Sequence, residues 1–169
     1  MSPEILTVAM FATLVLAIIL GHPLACAAGL AVLEAVEDGL PARAEALAAA
    51  RAWSVWEASV SMLLRDDSYV AHFEDPHAAL ALARIECHYF VNGGFFERDD
   101  ELLRNIDQVA DIPAVIVQGR YDVVCPVESA YELHQAWPGS ELVIAAQSGH
   151  SALEPEITSH LVAATQRWR

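Results

Sequence analysis

The sequence contains no lysine: all nine basic residues are arginine, set against 23 acids for a formal charge of −14. A surface that acidic repels phosphate backbones and anionic headgroups, which excludes nucleic acid as a partner. With the heavy use of alanine, the missing lysine reads as coding bias of the source genome and not as a functional device. Cysteine is nearly as scarce. Cys26, Cys87 and Cys125 are far apart and odd in number, so neither a disulfide framework nor a zinc site is expected, and a reducing compartment is the default. No basic residue precedes Arg43, which removes the basic n-region of a secretory signal and leaves the positive-inside rule nothing to act on. Last, no serine or cysteine stands in a Gly-x-Ser-x-Gly turn. The sharp strand-to-helix elbow that exposes a nucleophile is missing from these 169 residues.

What is there is one domain's worth of chain, at 55% apolar rich enough to bury a core. It falls into three parts. Residues 1–41 are apolar, and Ile5–Leu20 carries no charge over sixteen residues. That is short of the roughly 20 a membrane span needs, so a buried apolar helix and a membrane anchor both stay open. Residues 42–110 read as helices: a long pattern over Arg43–Leu64 broken at Asp66-Asp67-Ser68, a second helix from Pro76 to Val91 stopped by Asn92-Gly93-Gly94, and a short acidic helix over Asp99–Val109. Residues 111–169 alternate strand 113–118, helix 127–136, strand 141–146 and helix 155–167, the pattern of parallel α/β structure with crossover helices. Two strands alone make a poor buried parallel sheet. The expected fold is therefore part of an α/β sheet with a helical segment beside it, the sheet itself incomplete.

Four acid–base residues stand out. Asp122 follows the first strand in the turn Gly119-Arg120-Tyr121-Asp122, and His150 follows the second in Ser148-Gly149-His150-Ser151. Parallel strands of one crossover unit end on the same edge, so both side chains emerge there. A carboxylate so placed fixes an imidazole tautomer while the other ring nitrogen handles a proton. The plain alternative is a turn-capping Asp and an ordinary loop His. Glu57 and Glu86 lie on or near apolar helix faces, the first with Trp53 and Val60 at helical spacing, the second with Leu82, Tyr89 and Phe90. Neither has a basic residue at helical spacing, so each needs a cation from elsewhere or a raised pKa; a ligand ammonium is one such cation, and a face-boundary Glu or a tertiary salt bridge is the alternative. Trp53, Trp56, Tyr89, Phe90, Phe95 and Phe96 either wall an apolar pocket or are simply core. His72, Glu74, Asp75 and His77 make a poor metal set, because Pro76 interrupts them and the spacing fits no helical or finger pattern.

The runs Ala49–Glu57, Ala83–Phe96, Asp111–Pro126, Leu133–Pro138 and Ser148–Glu156 together resemble the C-terminal portion of proline iminopeptidases (prolyl aminopeptidases), a family of the α/β-hydrolase superfamily, over roughly residues 42–169. Cys87 stands where relatives commonly carry Asn. The resemblance implies a cytoplasmic serine peptidase that releases proline from the free N-terminus of a peptide, without cofactor or metal. Asp122 and His150 match its triad acid and histidine, and Glu57 and Glu86 match the pair of glutamates that hold the substrate's amino group. What the resemblance does not supply is the nucleophilic serine and the oxyanion loop. Residues 1–41 resemble neither, so the expectation is a truncated or split gene product or a misassigned start, inactive alone or active with an N-terminal-half partner chain. The alternative is a non-catalytic remnant or peptide-binding module, membrane-tethered through Ile5–Leu20.

Overall fold

The computed structural model describes residues 40–168, so the apolar run Ile5–Leu20 lies outside the described residues. Among them no helix is long and apolar enough to cross a membrane. They form two compact units, one of residues 40–60 and 64–97, the other of residues 61–63 and 98–168.

The first unit is helical. Helix α1 (Leu40–Ser61) packs on α3 (Pro76–Val91) through small residues: Ala50, Ala83 and Cys87 are buried, with Ala49, Trp53 and Leu80 packed against them. Alanines at helical spacing let two backbones approach closely, and fully buried Ser54 satisfies its hydroxyl on the Ala79 carbonyl at 3.5 Å. Asp75 caps α3, accepting from the amides of His77 and Ala78, and Pro76 follows at the first turn, as Asp–Pro at a helix start favours. The triplet Asp66-Asp67-Ser68 does more than end α1. Asp66 accepts from the amides of Ser68 and Tyr69 and so starts a six-residue helix, α2 (Asp67–His72), which the sequence pattern does not announce. α3 stops at Val91, and Gly93, Gly94 and Phe95 turn through positive φ.

The second unit holds the sheet. The acidic stretch expected as one helix over 99–109 is instead a four-residue helix α4 (Glu101–Arg104) and a 3₁₀ turn over Ile106–Gln108. Asn105 divides them, its side-chain amide donating to the Glu101 carbonyl at 2.8 Å in competition with the helical ladder. The segment also leaves the helices it was expected to join: Leu103, Ile106 and Val109 pack on the core of Ala114, Ile116, Ala130, Leu133 and Trp137. Strand β1 (Ala114–Gly119), helix α5 (Val127–Ala136), strand β2 (Ser140–Ala145) and helix α6 (Pro155–Gln166) follow. β1 and β2 pair in parallel, from Ala114 opposite Ser140 to Gly119 opposite Ala145. Among the described residues they are the whole sheet. Helix α5 is the crossover that a parallel pair requires. Both strands therefore end on one edge, from which the turn 120–125 and the loop 146–154 leave.

Candidate functional site

The two loops meet at that edge. His150 Nδ1 lies 3.0 Å from Asp122 Oδ2, with the aspartate side chain 5% exposed and the imidazole 18%. Three further donors converge on the carboxylate: the amides of Val124 (3.0 Å) and Cys125 (2.7 Å) on Oδ1, and Gln118 Nε2 (3.0 Å) on Oδ2. A carboxylate ringed by N–H groups acts as an acceptor, so the ring proton sits on Nδ1 and is donated to Asp122. That leaves Nε2 with its lone pair outward, the tautomer a general base needs.

Backbone geometry holds the histidine in place. Tyr121 N donates to the Ser148 carbonyl at 3.0 Å, and the amides of His150 (2.8 Å) and Ser151 (2.7 Å) both donate to the Ser61 carbonyl. Gly119 owes its identity to this seam. A Cβ there would lie 1.7 Å from the Gly149 carbonyl oxygen, so the requirement is close approach of two backbones and not the softness of a turn.

Two positioning residues escape a reading by sequence. Glu154, buried, takes the amides of Gly149 (2.5 Å) and Leu63 (3.2 Å) on its two oxygens. Buried Gln118 donates to Asp122 and to the Cys125 carbonyl at 2.9 Å. The signal for Gln118 was an amide at an inward position of an otherwise apolar strand. Glu154 gives no such signal, because a glutamate before Pro155 looks like an ordinary helix start.

In the helical unit the structure brings Glu57 and Glu86 together. They are hydrogen-bonded to each other, and Glu57 is pushed up to about 8, first by burial and then by the charge and hydrogen bond of Glu86. Trp53 Nε1 donates to Glu86 Oε2 at 2.7 Å. Of the two routes open to a buried carboxylate, a cation or a raised pKa, the described structure takes the second at Glu57. The aromatics form a partly open ledge: Trp53 lies 5.1 Å from Trp56 and edge-on to Phe90, while Tyr89 stands edge-on to Phe95. Trp56, Tyr89 and Phe95 are about half exposed, so they are not core.

The remaining candidates have structural work. His72 bonds the Ser68 carbonyl, Asp75 caps α3, and Glu74 pairs with Arg51 at 3.3 Å, so the set considered for a metal is dispersed. Among the described residues, Asp122, Cys125 and His150 are the group whose donor atoms lie within 4.8 Å of one another, but the carboxylate and imidazole are already committed to each other. Ser148 and Ser151 share the loop of His150. Ser148 donates to Glu156, and Ser151 Oγ accepts from the Leu153 amide.

A parallel strand–helix–strand unit with a hydrogen-bonded acid and histidine at the strand ends is the acid–histidine edge of an α/β-hydrolase. Comparison with known proteins agrees. The family model of TAP-like proteins, an α/β-hydrolase family, matches residues 75–163, and the chain belongs to that family. Among curated relatives it is 62% identical over 119 residues to a proline iminopeptidase of Xanthomonas citri, 58% over 120 residues to a probable proline iminopeptidase of Leptolyngbya boryana, and 51% over 122 residues to a proline iminopeptidase of Arabidopsis thaliana. These alignments cover 70%, 71% and 72% of this chain but 38%, 37% and 32% of the relatives. The chain thus spans under two fifths of their length.

Proposed function

We propose that this chain carries the proton-handling and amine-binding parts of a proline iminopeptidase-like serine hydrolase, which cleaves the first peptide bond after an unblocked N-terminal proline. His150 Nε2 takes the proton of a serine hydroxyl as it attacks the carbonyl, then gives it to the departing amine. Asp122 holds the ring and stabilises its charged form. Glu57 and Glu86 hold the secondary ammonium by charge-assisted hydrogen bonds, which selects a free N-terminus. The observation that carries this reading is the 3.0 Å Asp122–His150 contact at the edge of a parallel pair, supported by the relatives' names.

The serine and the oxyanion donors are to come from outside these 169 residues, for instance from a chain equivalent to the N-terminal half of the relatives. Each oxyanion donor is worth about 2.7–4 kcal/mol to the transition state. The protein alone is therefore expected to turn over no proline chromogenic amide, in a cytoplasmic setting or in vitro. Turnover by the purified chain at rates typical of such peptidases, abolished by His150→Ala, would refute that incompleteness. A partner segment bearing Gly-x-Ser-x-Gly that restores no turnover on mixing would favour the second reading, a non-catalytic peptide-binding module. The absence of that motif from the sequence is what keeps the second reading in play.

A further inference from the structure

The glutamate pair and the indole beside it carry an inference that rests on the amine-anchor reading and goes beyond it. An indole Nε1–H is a donor only, and it approaches Glu86 Oε2 at 2.7 Å, a length proper to a bond onto a charged oxygen. Oε2 of Glu86 is thereby fixed as an acceptor. Glu57 and Glu86 are hydrogen-bonded to each other, and two carboxyl groups bond only when one of them carries the hydrogen. The groups that meet here are Trp53 and Glu57 from α1, and Glu86, with buried Cys87 next to it and Phe90 against Trp53, from α3. The charge acting on Glu57 is that of Glu86.

We propose that Trp53 makes Glu86 the charged member of the pair and leaves Glu57 as the proton holder, so that a substrate ammonium takes its seat only by driving one proton out. The exchange balances. A secondary ammonium meets a carboxylic acid hydrogen-bonded to a carboxylate. It ends between two carboxylates, donating one N–H to each, and one proton leaves Glu57 for solvent. No covalent bond of the ligand changes. Trp53 is a positioning residue in this scheme: it touches Glu86, not the ligand. The raised proton affinity of Glu57 supports the assignment. The consequence is that affinity rises with pH, by about tenfold per unit, until Glu57 is ionised in the free protein, and is flat beyond.

The test is calorimetric titration of the full 169-residue chain with L-prolinamide, in two buffers of different ionisation heat. Release of close to one proton per ligand at about pH 6.5, falling toward zero above about pH 8.5, is expected. Binding with no proton exchange and a pH-independent Kd would overturn the proposal while leaving the amine seat intact. In Trp53→Phe the carboxylates lose their donor and hold protons more tightly. Affinity at fixed pH then falls about tenfold and the pH limb moves upward, whereas a purely structural role would leave the limb where it was. If prolinamide does not bind at all, the amine-anchor reading fails, and infrared titration of the free chain decides the proton by itself. A protonated-carboxyl stretch that persists to about pH 6.5 and vanishes in Glu57→Gln sustains the proposal, and its absence from the wild type overturns it.

Discussion

Replacing Gly119 by alanine tests whether the acid–histidine edge is held by backbone contact. The new Cβ falls 1.7 Å from the Gly149 carbonyl oxygen, 2.8 Å from its carbon and 2.9 Å from the Ser148 carbonyl oxygen. All three are main-chain atoms, so no side chain can swing aside to make room, and the end of β1 must part from the loop. Two hydrogen bonds cross that seam: Tyr121 N to the Ser148 carbonyl and His150 Nδ1 to Asp122 Oδ2, each at 3.0 Å. Separation by about 1 Å takes both out of hydrogen-bonding range. Losing a neutral bond of about 1 kcal/mol and a charge-assisted one of about 1.5–3 gives a cost of about 2.5–4 kcal/mol. Gly149→Ala is the internal comparison, since its Cβ meets atoms at 3.0–3.3 Å and should cost less. Urea unfolding followed by tryptophan fluorescence reads the stability through Trp137, buried in this unit's core. The imidazole Nδ1–H proton resonance reads the bond to Asp122. A loss below about 1 kcal/mol with that resonance unmoved would show that the loops are not seated as described.

The carboxyl pair gives a second prediction. Glu57 is raised from 4.5 to about 8 in the folded protein, so the native state binds the extra proton. Its contribution to stability is complete below about pH 4.5 and is lost as pH rises through about 8, at about 1.4 kcal/mol per unit between. Urea midpoints measured across that range should fall more steeply for the wild type than for Glu57→Gln; equal slopes, or a reversed difference, would sink the assignment. Glu154→Gln keeps one acceptor for the two amides it now serves and turns an NH₂ toward the other. The expected loss is about 1.5–3 kcal/mol, with faster hydrogen exchange at Gly149 and Leu63; unchanged exchange would count against Glu154 as the anchor of the histidine loop.

How much of this could be read from sequence depends on the range of the forces involved. The parallel pair and its crossover were legible, because apolar runs bounded by turn residues report burial locally. So was the Asp75–Pro76 helix start, where cap and first-turn residue are adjacent. α2 was not, since six residues are too few to show a period, and only the cap on Asp66 betrays it in hindsight. The stretch 99–109 has helical composition, yet Asn105 breaks it and its apolar side chains serve the strand core, a tertiary choice that overrides propensity. For the site, the positions of Asp122 and His150 followed from strand topology alone. Glu57 and Glu86 each looked like a carboxylate without a local partner. That each would find the other was beyond sequence, because their pairing depends on how α1 and α3 cross.

The two acidic centres then show why burial alone does not set a carboxyl group's job. Asp122 is the more enclosed, with a side chain 5% exposed, yet it receives N–H groups from Gln118, Val124, Cys125 and His150. Every lone-pair direction has a donor, which suits a permanent acceptor that must steady a charged imidazole. Glu57 is buried against another acid, and the nearby indole donor is spent on Glu86. That environment suits a group that keeps a proton until something more positive arrives. The distinction lies in the donor inventory: four N–H groups around one acid, one shared between two at the other. Moving a single donor, as Trp53→Phe does, should therefore alter the proton held by the glutamate pair and leave the Nδ1–H resonance of His150 where it is.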